Sequence, residues 1–220
     1  MLKMKCYERK TNMQVLTHTF TGRVIDLENF TKDDVDLTDI AISLSRQRRY
    51  AGHTAVPYSV GMHLIACVSI ADSLKMSDEI CELTFLHDIE ETWVQDVVSP
   101  IKHNYMLARF RQLSDEITAV VHDFFKVTHK ITPEKLDVVS SIDKVAYHFE
   151  ARKMIPSYRF EEKRWTPDQI KMIKELEGMS FAITDDLLVN TDTQIAQIIF
   201  EMLNVLHVEN VHGVKLSAEK

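Results

Sequence analysis

Apolar residues recur at helical spacing along most of the chain. An amphipathic helix is predicted after residue 36, because apolar side chains fall at positions i, i+3, i+4 and i+7: Leu37, Ile40, Ala41 and Leu44. Other periodic segments follow a good helix-capping residue, and their predicted starts are Ser59, Ser77, Thr132, Thr166 and either Thr191 or Thr193. A long helix is also predicted between Tyr105 and Val127. The pattern as a whole favours a helical protein.

A β pattern is confined to the N-terminal part of the sequence. Between Val15 and Phe30, β-branched residues surround Gly22, which predicts a short hairpin. We therefore predict an all-α helical bundle with a small N-terminal β element. Three regions are expected: an N-terminal extension with the hairpin (1–35), a helical core (36–155), and C-terminal helices that pack on the core or form a subunit interface (156–220).

Composition narrows the classes of function. The net charge of −7 opposes nucleic-acid binding, since phosphate backbones require a basic surface. The 3 cysteines have no C-x-x-C spacing, which indicates free thiols in a reducing compartment. No apolar run approaches the length of about 18 residues that a membrane span needs, and no signal-peptide pattern is present. We expect a cytoplasmic protein without nucleic-acid or membrane partners.

The chemistry is expected around His87-Asp88, at the end of a predicted apolar helix. A histidine and an aspartate side by side can both ligate one divalent ion. Glu91 and Asp96 follow three and eight residues after Asp88, and they add two non-ligand carboxylates. The chain also contains a second pair, His122-Asp123, which lacks such acids after it, and we interpret it as structural.

Two more candidate ligands lie on other predicted helices. His63 shares a helix face with apolar residues, and Asp143 falls in an apolar stripe of the helix after Thr132. Each has an ordinary alternative: a lone inward histidine is more often a core residue, and a buried aspartate can pair with Lys or Arg. If they converge with His87-Asp88, two imidazoles and two carboxylates would suit one divalent transition metal per subunit, namely Mn, Co, Zn, Fe or Ni.

This pattern resembles that of the HD-domain metal-dependent phosphohydrolases, H…HD…D, over roughly residues 36–150. One subset of the family, which includes bacterial 5'-deoxynucleotidases and phage-type dATP triphosphohydrolases, is similar at further positions. These are Arg49-Tyr50, Gly52-His53-Thr54, Tyr58-Ser59-Val60 ahead of His63, the acids Glu91 and Asp96, and Pro100-Ile101-Lys102. Tyr50 is a departure, since those relatives have Trp or Phe there, and it bears on the base preference.

The resemblance implies an HD-domain bundle and a phosphohydrolase of deoxynucleotides. Metal-activated water would attack the α-phosphorus of a dNTP, dATP first, and release triphosphate. Glu91 would transfer a proton, and Asp96 would hold the water or orient Glu91. Arg49 and Lys102 would bind phosphate, and Tyr50 would contact the base or the sugar.

Three alternatives or additions go with this prediction. The alternative enzyme is a 5'-deoxynucleotidase that releases phosphate from dNMPs. The alternative of another class is a non-catalytic nucleotide-binding HD module. Relatives assemble, and the C-terminal helices have apolar faces, so we also expect a homo-oligomer.

Overall fold

The computed structural model describes residues 14–102, 105–177 and 185–212. The start of the predicted N-terminal extension and the end of the C-terminal region, residues 1–13 and 213–220, lie outside them. The described part is mostly helical and contains a two-stranded antiparallel sheet. The predicted all-α fold with a small N-terminal β element is confirmed.

The β element is a hairpin of β1 (Leu16–His18) and β2 (Val24–Asp26). Its turn contains Gly22 at φ 85°, a left-handed conformation that glycine adopts without strain. The hairpin is tied to the helical part by Asp39, whose carboxylate accepts hydrogen bonds of 2.8 Å from the backbone N–H and the hydroxyl of Thr21. This element therefore belongs to the packed structure.

The helices begin where the capping residues predicted them. Ser59, Ser77 and Thr132 each accept a hydrogen bond from a backbone N–H of the first turn, and Thr191, not Thr193, precedes the last helix. The helices are α1 (Leu37–Arg46), α2 (Val60–Ser73), α3 (Asp78–Leu86), α4 (Glu91–Val94), α5 (Ser99–Lys102), α6 (Ala108–Phe124), α7 (Pro133–Met154), α8 (Pro167–Glu177), α9 (Asp185–Val189) and α10 (Asp192–His212). The segment predicted as one helix over 105–127 begins instead with a 3-10 turn, Tyr105–Leu107.

The core is built by α2, which packs against α1, α3, α7 and α10. Gly61 permits this close approach. A Cβ atom on it would lie 2.9 Å from Ile195 Cγ2 and 3.3 Å from the backbone oxygen of Leu44. Beyond residue 155, α8 packs on α7 and α10 packs on α1, so both helices rest on the core. Among the described residues, no helix combines the length and the apolar character that crossing a membrane requires.

Replacing Gly61 by Val tests this packing. The added side chain would meet Ile195 and the backbone of α1, and overpacking of this kind costs about 1–3 kcal/mol. We expect the free energy of unfolding, measured in urea, to fall by that amount. Ser69→Val introduces the same residue at an exposed position of α2 and should change it by less than about 0.5 kcal/mol. Equal effects of the two substitutions would contradict the close packing at Gly61.

Candidate metal centre

Three helices supply the candidate ligands. His63 lies in the first turns of α2 and is completely buried. Helix α3 ends at Leu86, so His87 and Asp88 lie in the turn that leads to α4. Being adjacent in this turn, they can both contribute ligands to one site. Asp143 comes from the middle of α7. Because α2 packs against both α3 and α7, the three positions meet in space.

Their donor atoms converge on His63 Nε2. This nitrogen lies 3.1 Å from Asp143 Oδ1, 3.3 Å from His87 Nε2 and 3.7 Å from Asp88 Oδ2. His87 Nε2 lies 3.4 Å from Asp88 Oδ2 and 3.9 Å from Asp143 Oδ1. The four predicted ligands are thus neighbours. Within the described part of the chain, Asp143 forms no ion pair with Lys or Arg, and its partners are the two histidines. The alternative that Asp143 serves a structural salt bridge to Lys or Arg is therefore wrong.

The expectation that Asp143 is buried in the apolar stripe was wrong. Its side chain is 41% exposed, because this side of α7 borders a cavity instead of another helix. Desolvation still acts on this carboxylate and raises its pKa, but the hydrogen bond and charge of His63 and the charges of His87 and Arg49 outweigh it and lower the pKa. The partial exposure leaves the cluster accessible from solvent.

The orientation of the two imidazoles tests whether a metal fits. His63 Nδ1 lies 2.6 Å from Glu150 Oε1, and His87 Nδ1 lies 2.6 Å from the carbonyl oxygen of Thr84. Both partners are acceptors, so each ring carries a proton on Nδ1, and a neutral ring directs its Nε2 lone pair into the cluster. Two Nε2 atoms only 3.3 Å apart need a cation beside them: a proton on His63, which Asp143 Oδ1 accepts at 3.1 Å and which gives that ring its charge, or a metal ion that replaces this proton. The donor set therefore fits a divalent metal.

Glu150 holds this arrangement and was missed in the sequence. Its carboxylate is completely buried and accepts hydrogen bonds from the hydroxyls of Tyr50 at 2.6 Å and Tyr58 at 3.1 Å. Burial alone would raise its pKa, but the charges of His63 and Arg49 and the hydrogen bonds lower it to about 2. The available indication was its spacing, because Glu150 lies seven residues after Asp143 and so shares its helix face.

Arg49 and Tyr50 enter the site on a constrained loop. Tyr50 and Ala51 have φ values of 58° and 50°, and left-handed non-glycine residues cost about 1–3 kcal/mol each. Arg49 N donates to the carbonyl of Tyr58 at 3.0 Å, and the adjacent Arg48 makes two hydrogen bonds of 2.8 Å to Asp192 on α10. These contacts hold the strained loop in place.

The loop aims the Arg49 guanidinium at the candidate ligands. Its NH1 lies 3.5 Å from Asp88 Oδ2, and its Nε lies 3.6 Å from Glu150 Oε2. That Nε is buried and makes no hydrogen bond in the described structure. Arg49 thus brings a cation to the cluster with donor capacity left, whereas the Tyr50 hydroxyl is engaged by Glu150 and only its ring is available to a ligand.

A second group of acids adjoins the cluster on the other side. Glu91 is buried, and its pKa is raised to about 9 by burial and then by the charges of Asp88, Asp96 and Glu90. Lys102 Nζ lies 3.6 Å from Glu91 Oε1 and opposes this shift only in part. The structure therefore brings the predicted residues Glu91, Asp96 and Lys102 to one place.

Glu90 and Gln47 complete this group and were not predicted. Burial, and then the charge of Asp88, raises the pKa of Glu90 to about 7, and Ser114 donates to its carboxylate at 3.1 Å. Gln47 Nε2 donates to the carbonyl of Glu91 at 2.8 Å, and its Oε1 accepts from Asp96 N at 3.1 Å. One amide side chain thus sets the spacing between the two predicted catalytic acids.

Cys67 and the second His-Asp pair are not counted among the candidate ligands. Cys67 Sγ lies 3.5 Å from His63 Nε2, but burial raises the pKa of this thiol to about 11, and a neutral thiol is a poor ligand. The second His-Asp pair lies elsewhere, on α6, where Asp123 makes a surface ion pair of 2.8 Å with Lys32. The structural interpretation of that pair agrees with this position.

Comparison with known proteins gives a partial match. No protein-family model matches the sequence. Over 105 residues the chain is 31% identical to "Uncharacterized protein YfdR" of Escherichia coli (strain K12), which covers 48% of this chain and 55% of that protein. The chain therefore spans about half the length of this curated relative, whose name states no activity.

Replacing Glu150 by Gln tests its effect on the metal centre. The amide keeps the size but can turn its N–H₂ toward His63, which removes the acceptor that orients the ring. We expect the affinity for Mn²⁺ or Co²⁺, measured by calorimetry on metal-free protein, to fall about 10–100-fold. Glu177→Gln, a surface acid beside α7 that pairs with Arg152, serves as the control and should leave the affinity unchanged. Unaltered binding by a folded E150Q variant would contradict this role.

Proposed function

We propose that the protein is a divalent-metal-dependent phosphohydrolase of deoxynucleotides, of the HD-domain type. Its substrate is a deoxynucleoside triphosphate, dATP first, and its products are the deoxynucleoside and inorganic triphosphate. The observation that carries the proposal is the convergence of the Nε2 atoms of His63 and His87 with carboxylate oxygens of Asp88 and Asp143. The comparisons with known proteins neither support nor oppose it.

These four residues would hold the metal. When bound, such an ion would supply Lewis acidity toward a phosphate oxygen and would lower the pKa of water. His63 is oriented for this purpose by Glu150, and His87 by the carbonyl of Thr84. Arg49 would neutralise charge on the phosphate, since its guanidinium is a planar donor next to Asp88.

Glu91 is the candidate for proton transfer. In the metal-free protein its raised pKa, about 9, lets the carboxyl group carry a proton at neutral pH. In hydrolysis at the α-phosphorus, the oxygen of water bonds to phosphorus, the bond from phosphorus to the 5' oxygen breaks, and that oxygen takes a proton. Glu91 would donate this proton, Lys102 would balance the negative charge that remains on the carboxylate, and the proton that the attacking water loses would restore the acid.

The first test is the identity of the phosphorus product. With Mn²⁺ or Co²⁺ present we expect dATP to yield inorganic triphosphate, and we expect EDTA to abolish the reaction. Asp88→Asn should lower turnover by at least about 100-fold, because it removes one candidate ligand. Asp123→Asn alters the other His-Asp pair and should have no effect. Orthophosphate released from dAMP alone would favour a 5'-deoxynucleotidase, and inertness toward both nucleotides would refute the proposal.

The second test separates an enzyme from a nucleotide-binding module. Glu91→Gln preserves the size of the side chain but cannot exchange a proton, so we expect kcat for dATP to fall at least about 100-fold. Binding of dATP, measured by calorimetry, should stay within about twofold of the wild-type value. If wild-type and E91Q proteins bind nucleotide and neither turns it over, the module interpretation is correct.

A further inference from the structure

A cavity of about 640 Å³ opens beside the candidate metal centre. Arg49 and Asp143 belong to its wall, so it is continuous with the proposed site of reaction. The wall also includes five residues of the segment 158–165, which lies between α7 and α8 and contains none of the motifs identified in the sequence. Its volume lies within the range of about 300–1,000 Å³ that is usual for small-molecule sites.

The 158–165 segment is held on α7 by an aromatic cluster. The buried ring of His148 makes a hydrogen bond of 2.8 Å with the hydroxyl of Tyr158. The same ring contacts Phe160 and Trp165 edge-on, with centroid distances of 5.0 and 5.6 Å. These contacts fix both ends of the segment on α7 and so determine the position of the residues between them.

Three cations from this region line the cavity: Lys144, Arg159 and Arg164. Within the described part of the chain, none of them has a carboxylate at ion-pair distance. Lys144 Nζ donates to the carbonyl of Arg164 at 2.7 Å, and Arg159 donates to the carbonyls of Pro156 and Tyr158. Backbone carbonyls thus position the Lys144 and Arg159 side chains without cancelling their charge.

The acids of the wall offset this charge only in part. Asp143 and Glu161 line the cavity, and Glu161 also forms an exposed ion pair of 3.4 Å with Lys163, so two acids face four cations once Arg49 is included. The Trp165 ring is stacked on Phe160 and has Lys144 over it at 5.0 Å, so protein groups already occupy it. In a protein of net charge −7, this wall concentrates positive charge next to the site of reaction.

We propose that the cavity is a polyphosphate subsite, in which Lys144, Arg159 and Arg164 bind the phosphates beyond the one that reacts. Guanidinium and ammonium groups are donors without acceptors, and phosphate oxygens are their natural partners. This inference rests on the proposed function and specifies its substrate class. A nucleoside triphosphate carries two phosphates besides the one that reacts, whereas a monophosphate has none to place among these cations.

The test is the binding of inorganic triphosphate and of orthophosphate to the full chain in EDTA, measured by calorimetry. We expect the wild-type protein to bind triphosphate at least about tenfold more tightly than orthophosphate. The double variant R159Q/R164Q should lose about tenfold or more of the triphosphate affinity. Lys174→Gln removes an exposed cation of α8 that does not line the cavity and should leave the affinity unchanged. Equal affinity for the two anions, or unaltered binding by the double variant, would overturn the proposal.

Hydrolysis of dATP separates this proposal from the proposed function. If both hold, R159Q/R164Q raises KM for dATP about tenfold or more and leaves kcat nearly unchanged. If wild type and variant hydrolyse dATP with the same KM, the subsite proposal is wrong and the proposed function stands. If the variant loses triphosphate binding but the wild-type protein does not hydrolyse dATP, the subsite is supported and the proposed function is not. Circular dichroism verifies folding, and R164Q alone provides the milder substitution.

Discussion

The hydrogen bond between the buried Glu150 carboxylate and His63 Nδ1 is the interaction on which the candidate centre depends. A carboxylate removed from water is stable only when donors surround it, and here His63, Tyr50 and Tyr58 supply them. These partners come from α2 and from the loop that precedes it, while Glu150 comes from α7. The same bond that satisfies the acid therefore joins the elements that carry His63 and Asp143, and it turns the free nitrogen of His63 toward that aspartate.

Charge is distributed unevenly around this bond. Burial leaves Glu90 and Glu91 with raised pKa values next to Asp88, on the side of the centre that α4 provides. Arg49 lies between that side and Glu150, and further cations line the cavity that opens at Asp143. An acidic protein thus presents proton-carrying acids on one side of the cluster and positive charge on the other. The proposed nucleotide substrate, with its negative phosphates and a leaving group that takes a proton, would match this polarity.

Much of the fold could be predicted from the sequence because its cues are local. Ser59 and Thr132 accept the backbone hydrogen bonds that begin α2 and α7, and the apolar period marks the faces that these helices bury. The His-Asp pair and the acids after it could be named for a similar reason, since they are close in the chain, whereas His63 and Asp143 lie on other helices and depended on the expected convergence. The burial of Asp143 was wrongly predicted, because the period of α7 does not reveal that a cavity borders this face.

The sequence by itself determined the helices, their starts, the small β element and the residue types available for chemistry, since these depend on side chains a few positions apart. Only the tertiary structure decided which of them meet. Glu150 and His63 are 87 residues apart, and their contact arises from the packing of α7 on α2. The cavity beside Asp143 likewise depends on the packing of the aromatic side chains of residues 158–165 against His148. Such contacts follow from packing over the whole chain, which no local pattern encodes.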